Sequence, residues 1–143
     1  MVNLKPVTID NFWDVISLEV EKDQNFVASN AISIAQSKVD PSLIPLAIYN
    51  DQTLVGFLLY GIDPDDGNYW IVRLMVDKKH QKNGYGKKAM EIIIDKIKED
   101  TSHNKIAIST NPKNYIGLNL YKNLGFKSTG KIIDGEEVLE LTY

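Results

Sequence analysis

A predicted β-strand that leads through a glycine-containing loop directly into an amphipathic helix constrains this chain more than any other feature. The strand spans Tyr69–Val76, and the helix covers 86–100. The first turn of such a helix exposes unpaired backbone N–H groups and the positive end of the helix dipole, which attract anions. Gly84 and Gly86 have no Cβ atom, so the backbone can approach a ligand closely. The junction therefore predicts a site for a diphosphate.

Basic residues are concentrated around the same loop. The net charge of the chain is −3 at pH 7, yet the segment 73–88 has one acid, Asp77, against six bases: Arg73, Lys78, Lys79, Lys82, Lys87 and Lys88. Lys87 and Lys88 fall in a first helical turn, where the dipole disfavours cations, and a bound polyanion would reverse that penalty. A solvated lysine-rich loop without a ligand is the alternative interpretation. The pattern does not favour nucleic-acid binding.

The loop differs from two common phosphate-binding motifs. It lacks the Gly-Lys-Ser/Thr end of a Walker A motif. It also lacks the three glycines and the downstream acid of a dinucleotide-binding fingerprint. From the glycine pattern alone, a structural turn without any ligand stays open.

The periodicity of the whole chain predicts a mixed α/β sheet in one domain, residues 1–143. The predicted strands are 3–7, 43–49, 53–62, 69–76, 105–109, 126–131 and 138–143. The predicted helices are 12–20 (capped by Asp10), 27–35 (ended by Pro41), 86–100 and 115–124 (ended by Gly125). We find no repeat, low-complexity tract or linker.

Composition excludes several classes of protein. Apolar residues make up 43% and charged residues 24%, as in a packed globular domain. The absence of cysteine excludes disulfides, thiolate metal sites and a cysteine nucleophile. No run approaches the ~20 apolar residues of a membrane span, and the first residues have no apolar signal core. We therefore expect a cytoplasmic protein with no metal and no membrane partner.

Two segments together resemble a known family. Gln81-x-x-Gly84-x-Gly86, preceded by Leu74-x-Val76 and followed by a helix, resembles the acetyl-CoA signature of the GNAT superfamily of N-acetyltransferases. Asn114, seven residues before Tyr121, and the following Gly125-Phe126 resemble the second recurring segment of that superfamily. The resemblance implies a central sheet of about seven strands flanked by about four helices, with a splay between strands 69–76 and 105–109.

A closer similarity points to bacterial spermine/spermidine (diamine) acetyltransferases. It includes Trp70-x-x-Arg73, Tyr85 with Lys87, and Gly130…Gly135-Glu136. It implies transfer of acetyl from acetyl-CoA to a primary amine of a small molecule, with a polyamine as the leading substrate. An aminoglycoside, an amino-acid metabolite, a protein N-terminus and a non-catalytic CoA-binding domain stay open as alternatives. The resemblance also admits a homodimer.

The resemblance assigns roles to individual residues. The backbone N–H of Leu74 is expected to donate to the thioester carbonyl, and Tyr121 is expected to be the general acid, although a core aromatic is the alternative. Asn114 is expected to bind the coenzyme amides or to cap its helix. The predicted coenzyme contacts are Leu74, Met75, Val76, Gln81, Lys82, Asn83, Gly84, Tyr85, Gly86, Lys87, Asn114 and Tyr121.

The general base is not identified by the sequence. Where some relatives carry a glutamate before the loop, this chain has Trp70, Val72 and Arg73, and none is a carboxylate. Acidic residues in two clusters could attract a polycation: Glu19, Glu21 and Asp23, and Asp63, Asp65 and Asp66. Tyr69 or Trp70 could add a cation–π contact. The alternatives are solvated helix charges for the first cluster and turn formation for the second.

Overall fold

The computed structural model describes residues 1–143 and joins seven strands into one mixed sheet, in the order β1-β2-β3-β4-β5-β7-β6. The strands are β1 (Val2–Pro6), β2 (Leu43–Asn50), β3 (Thr53–Ile62), β4 (Tyr69–Val76), β5 (Lys105–Thr110), β6 (Lys127–Ile133) and β7 (Glu136–Thr142). The helices are α1 (Phe12–Ile16), α2 (Asn30–Val39), α3 (Tyr85–Lys98) and α4 (Tyr115–Asn123). The predicted α/β class, with seven strands and four helices, is confirmed.

Neighbouring strands pair antiparallel except β4 and β5, which are parallel. The β6–β7 hairpin turns at Asp134 and Gly135, whose φ angles are 50° and 77°. Two positive φ angles in succession define the hairpin turn that favours Asp-Gly. No helix is both long enough and apolar enough to cross a membrane.

Apolar side chains fill both faces of the sheet. On one face α3 buries its predicted stripe, and this cluster includes Met90, Ile93, Ile106, Ile108 and Tyr121. On the other face Val15 of α1 packs with Ala47, Phe57, Leu59 and Met75. Helices on both faces of the sheet cover strands that are apolar on both sides. A group that lies between two strands of the sheet can therefore contact a different apolar cluster on each face.

The first helix is much shorter than the sequence predicted. α1 ends at Ile16, and the Ser17 Oγ donates to the Trp13 carbonyl at 2.7 Å where the chain turns away. The Glu19 backbone N–H donates to the Asp77 carboxylate at 2.9 Å, which holds the chain out of helix. The residue at the N-cap is Asn11, so the predicted cap at Asp10 is also wrong.

The second helix begins later than predicted. Ser29 is the N-cap and accepts a hydrogen bond from the Ile32 N–H at 3.2 Å, so Val27 precedes the helix. Between α1 and α2 the chain forms only a single 3-10 turn at Lys22–Gln24. This irregular segment is free to line a cavity beside β4.

A polar cluster fastens the β3–β4 turn to the end of α3. The Tyr69 hydroxyl donates to Asp100 at 2.8 Å, and His103 lies 3.1 Å from the same carboxylate. Burial, followed by the hydrogen bond to Asp100, raises the pKa of Tyr69 to about 12. Hydrogen bonds from Ser102 and then Tyr69 lower the pKa of Asp100 to about 2.

We predict that Asp100 stabilises the fold above pH 4 and that this contribution disappears as the pH falls toward 2. The sign follows because the folded-state pKa lies below the ordinary aspartate value of about 3.9. Asp100→Asn should lower Tm at pH 7, and its Tm should fall less between pH 7 and pH 2 than that of the wild type. Thermal melts across this pH range measure both effects. Asp95→Asn, which changes an exposed aspartate of α3, is the control and should keep the steep loss. Equal acid dependence in Asp100→Asn and the wild type would contradict this role.

Candidate active site

β4 and β5 pair for only part of their length. Their parallel ladder joins residues 69–71 to residues 106–108, and beyond it the two strands have no mutual hydrogen bonds. The residues 72–76 therefore face an opening on the β5 side. The splay predicted between these two strands is confirmed.

A bulge in β4 marks the point of separation. Leu59 of β3 faces Arg73, whereas the next residue, Tyr60, faces Ile71. Val72 is thus an extra residue in β4, and such a bulge bends a strand and disturbs regular pairing. The β4 backbone turns away from β5 at this residue.

A cavity of about 500 Å³ follows the opening. Its walls come from β4, β5, the loop before α3, α4, the first residue of β7 and the segment between α1 and α2. Of the 12 predicted coenzyme contacts, 11 line it: Leu74, Met75, Val76, Gln81, Lys82, Gly84, Tyr85, Gly86, Lys87, Asn114 and Tyr121. The structure therefore brings residues from both recurring segments into one cavity.

Asn83 is the predicted contact that the structure does not place in the cavity. Its Nδ2 donates to the backbone carbonyls of His80 and Gln81 at 2.9 and 3.1 Å. Both bonds lie within the loop, so this side chain shapes the loop rather than lining the cavity.

The start of α3 has the features of an anion site. Gly84 is its N-cap, with a φ of 78° that a non-glycine residue adopts only with strain. The first backbone bond into the helix runs from the Lys88 N–H to the Gly84 carbonyl, so the preceding N–H groups have no partner within the helix. The first turn contains no acidic residue, and Lys82 and Lys87 line the cavity beside it. The arrangement favours a bound polyanion.

Side chains hold the loop in this shape. The Gln81 Nε2 donates to the Val76 carbonyl at 3.0 Å and to the Gln24 Oε1 at 2.8 Å. The Tyr85 hydroxyl accepts from the Asn50 Nδ2 at 3.0 Å. Gln81 and Tyr85 therefore fix the loop to its neighbours as well as lining the cavity.

The second recurring segment forms the start of α4. The Asn114 Oδ1 accepts from the Gly117 N–H at 3.1 Å, and its Nδ2 donates to the Thr110 Oγ1 at 2.8 Å. The capping role proposed for Asn114 is thus present in the structure. These two bonds fix the start of the helix that carries Tyr121.

Tyr121 lies in the core and also lines the cavity, so the two interpretations of this residue are compatible. Its side chain is 7% exposed and packs edge-on against Phe126. Burial raises the pKa of Tyr121 to about 12, and the negative charge of Glu136 adds to the effect. The phenol therefore stays protonated at neutral pH and can donate a proton.

The acidic residues of the first predicted cluster lie beside this cavity. Glu19, Glu21 and Asp23 line a neighbouring cavity that shares Val20, Val27, Ala28 and Met75 with the first one. Glu19 also forms an exposed ion pair with Lys78 at 3.2 Å. These carboxylates are at the rim of the site rather than inside it.

The second predicted cluster lies outside the cavity, near the paired end of β4. Its carboxylates form the turn: Asp63 accepts from the Asp65 N–H at 2.8 Å, and Asp66 accepts from the Trp70 Nε1 at 2.9 Å. Tyr69 is bound to Asp100, as described above. The structure therefore does not bring Asp63, Asp65, Asp66, Tyr69 or Trp70 to the predicted acceptor site.

The cavity also contains polar residues that were not predicted as site residues from the sequence, among them a hydrogen-bonded pair. Ser109 of β5 and Glu136 of β7 both line it, and the Ser109 Oγ donates to the Glu136 carboxylate at 2.9 Å. They are 27 residues apart, and only the pairing of β5 with β7 brings them together. The local signal for Glu136 was the segment Gly130…Gly135-Glu136, which carried a resemblance but indicated no site role.

The family model described as the acetyltransferase (GNAT) family matches residues 10–126. This match covers more than half of the chain and includes every residue that lines the cavity except Glu136. The chain belongs to the GNAT acetyltransferase family.

Relatives of this acetyltransferase include enzymes named for polyamines. A probable spermine N(1)-acetyltransferase from Bacillus subtilis subsp. natto (strain BEST195) is 30% identical, over 96% of each chain. The spermine/spermidine N(1)-acetyltransferase of Bacillus subtilis (strain 168) is 29% identical over the same shares. A spermidine N-acetyltransferase from Vibrio cholerae, crystallised with CoA and spermine, has the same fold, with a TM-score of 0.78 at 12% identity over 99% of this chain and 95% of that chain.

As a GNAT enzyme, the protein uses acetyl-CoA as its acetyl donor, and the residues of the cavity suit this molecule. Unpaired N–H groups and lysines at the start of α3 suit its diphosphate. The unpaired edge of β4 at residues 72–76 suits its amide-rich arm, which can pair like a strand. No cluster of side chains suited to a metal ion is present.

We predict that Gly84→Glu weakens acetyl-CoA binding by about 100-fold or more, because it places a negative charge at the diphosphate site. A Cβ at this position meets no atom within 4 Å, so the only folding cost that we expect is the strain of a side chain at a φ of 78°, and the fold should stay largely intact. Gly84→Asn is the matched control, because asparagine tolerates the left-handed backbone without adding charge. Calorimetric titration with acetyl-CoA measures the affinity of both variants. Equal losses of affinity would show that backbone strain, and not the added charge, weakens binding.

Proposed function

We propose that this acetyltransferase transfers acetyl from acetyl-CoA to a primary amine of a polyamine such as spermine or spermidine. The amine attacks the thioester directly in a ternary complex. The observation that carries the proposal is that one cavity joins the start of α3 to Tyr121 through the splay of β4 and β5. The cytoplasmic location and the homodimer stay predictions.

Direct attack is favoured by the residues of the chain. The chain has no cysteine, so an acyl-cysteine intermediate cannot form. In the reaction, a C–N bond forms and the C–S bond breaks, and the bonding electron pair goes to sulfur. Two protons leave the ammonium nitrogen of the acceptor, of which one is balanced by protonation of sulfur and the other is released to solvent.

Tyr121 is proposed to protonate the departing sulfur. Its buried side chain lines the cavity, and its raised pKa keeps the hydroxyl protonated in the resting enzyme. The thiolate leaves into the same buried surroundings, which also disfavour its negative charge. Proton donation at that moment therefore lowers the cost of breaking the C–S bond.

The Leu74 backbone N–H is proposed to bind the thioester carbonyl. Leu74 lies beyond the last residue of β4 that pairs with β5, and it lines the cavity. A fixed N–H donor near the developing oxyanion is worth about 3 kcal/mol in other acyl-transfer enzymes. The bulge at Val72 would help to aim this part of the strand at the substrate.

The preference for a polyamine is supported by two observations. Relatives named for spermine and spermidine match almost the whole chain at about the same length. The carboxylates Glu19, Glu21 and Asp23 line the cavity next to the first one, where they would attract the distal ammonium groups of a long cation.

An amino-acid metabolite is the second candidate acceptor, because of Arg73. This guanidinium lines the cavity, and its Nε is buried without a hydrogen-bond partner. Arginine pairs well with a carboxylate, which a polyamine does not have.

The acceptor is tested by thiol release from acetyl-CoA with a panel of amines. The panel contains spermine, spermidine, an aminoglycoside, amino-acid metabolites and a peptide with a free N-terminus. We expect the highest kcat/KM with spermine or spermidine. A higher value with a carboxylate-bearing amine would select the second candidate. Coenzyme binding without thiol release on any amine would instead indicate a non-catalytic CoA-binding domain.

We predict that Tyr121→Phe lowers kcat by roughly 100- to 10,000-fold, the usual contribution of a general acid. The KM for acetyl-CoA should change little, because the aromatic ring still fills the core. Tyr115→Phe is the control: it changes an exposed tyrosine at the start of the same helix and should leave kcat unaltered. Unchanged turnover in Tyr121→Phe would remove the acid assignment.

A further inference from the structure

Glu136 is the only carboxylate that lines the main cavity. It is the first residue of β7 and directly follows the tight turn at Asp134 and Gly135. Its side chain is half-buried, in contrast to the exposed acids at the rim. A partly desolvated carboxylate in a substrate cavity binds a cation more strongly than one in water.

The structure fixes this carboxylate at the point where β4 and β5 separate. The Ser109 Oγ donates to the Glu136 Oε1 at 2.9 Å. Ser109 directly follows Ile108, the last residue of β5 that pairs with β4. Ser109 of β5 thus holds Glu136 at the point where the opening between β4 and β5 begins.

Glu136 and Tyr121 approach the splay from opposite faces of the sheet. Ile108 packs in the cluster that contains α3 and Tyr121. Because successive side chains of a strand alternate between faces, Ser109 points to the face of α1 and α2. Glu136 shares that face, since Ser109 donates to it. Its charge nevertheless reaches the Tyr121 phenol and helps to raise the pKa of that group.

Arg73 provides the opposite charge on the other wall. Its Nη2 lies 3.5 Å from the Gln36 Oε1 of α2, which places Arg73 on the same face as Glu136. A cationic amino group entering between them is repelled by the guanidinium of β4 and attracted by the carboxylate of β7. The charges of the cavity thus favour one position for an ammonium group.

We propose that Glu136 binds the reacting amino group of the acceptor, from the face opposite to the coenzyme, with Ser109 as its positioning residue. The carboxylate forms a charge-assisted hydrogen bond to the ammonium group and holds its nitrogen next to the thioester. This inference depends on the proposed acetylation of an amine. It does not depend on the polyamine, because every primary amine of the panel presents the same group.

The test compares Glu136→Gln with Glu137→Gln. Glutamine keeps the size of the side chain and an oxygen that accepts from Ser109, but it removes the charge. We expect Glu136→Gln to raise the KM for the amine by roughly 10- to 100-fold, the effect of one hydrogen bond to a charged group. The KM for acetyl-CoA and the Tm should stay at the wild-type values. Glu137, the next residue of β7, does not line the cavity, so Glu137→Gln should leave the amine KM unchanged.

A merely structural role for Glu136 predicts a different result. Loss of Tm together with equal increases in both KM values would indicate support of the hairpin and would overturn the inference. An unchanged amine KM in Glu136→Gln would overturn it as well. Glu136→Asp keeps the charge and should recover part of the lost affinity for the amine.

The assay separates this inference from the proposed substrate class. All variants are measured with the amine that the wild-type enzyme acetylates best. If that amine is not a polyamine, the substrate class is wrong and the test of Glu136 still proceeds. If the wild-type enzyme acetylates no amine, the proposed acetylation is wrong, and this inference, which depends on it, is overturned with it.

Discussion

The incomplete pairing of β4 with β5 is the constraint on which the rest of the structure depends. Backbone N–H and C=O groups that are buried without partners cost about 1–3 kcal/mol each, so strands inside a sheet normally pair along their whole length. Here β4 and β5 pair with each other only at residues 69–71 and 106–108. The remaining edge of β4 borders a cavity, where water or the amides of a bound coenzyme can satisfy it. A ligand that completes a sheet in this way needs few side-chain contacts to be held in register.

Electrostatics divides the cavity into two functional ends. At the start of α3, unpaired N–H groups and lysines provide positive potential, and the first turn has no acid to oppose it. Near the splay the positive charge of Arg73 is opposed by the carboxylate of Glu136, and the phenol of Tyr121 lies on one face with the Ser109–Glu136 pair on the other. A molecule with an anionic end and a neutral reactive end therefore has one favoured direction in the cavity. In the proposed reaction, this direction would bring the thioester next to Tyr121.

Local signals predicted the loop and helix at one end of the cavity, and long-range contacts determined the features that the sequence did not predict. Gly84, Gly86 and the apolar stripe of α3 lie within a short stretch, so their pattern alone indicated the loop and helix. The early end of α1 depends on Asp77, which is 58 residues from its partner Glu19. The aspartates of the β3–β4 turn suggested a cation site because composition does not show which way a turn faces. Glu136 depends on strand pairing that no local pattern reports.

The irregular segment between α1 and α2 has a consequence for how this kind of enzyme can diversify. It contributes Val20, Phe26 and Val27 to the cavity, yet it contains only one 3-10 turn and adds no strand to the sheet. Substitutions or insertions here disturb few regular hydrogen bonds, whereas changes in β4 or α3 affect the shared core. Natural selection can thus reshape this wall of the cavity while the start of α3 stays intact, and new specificities can arise without rebuilding the scaffold.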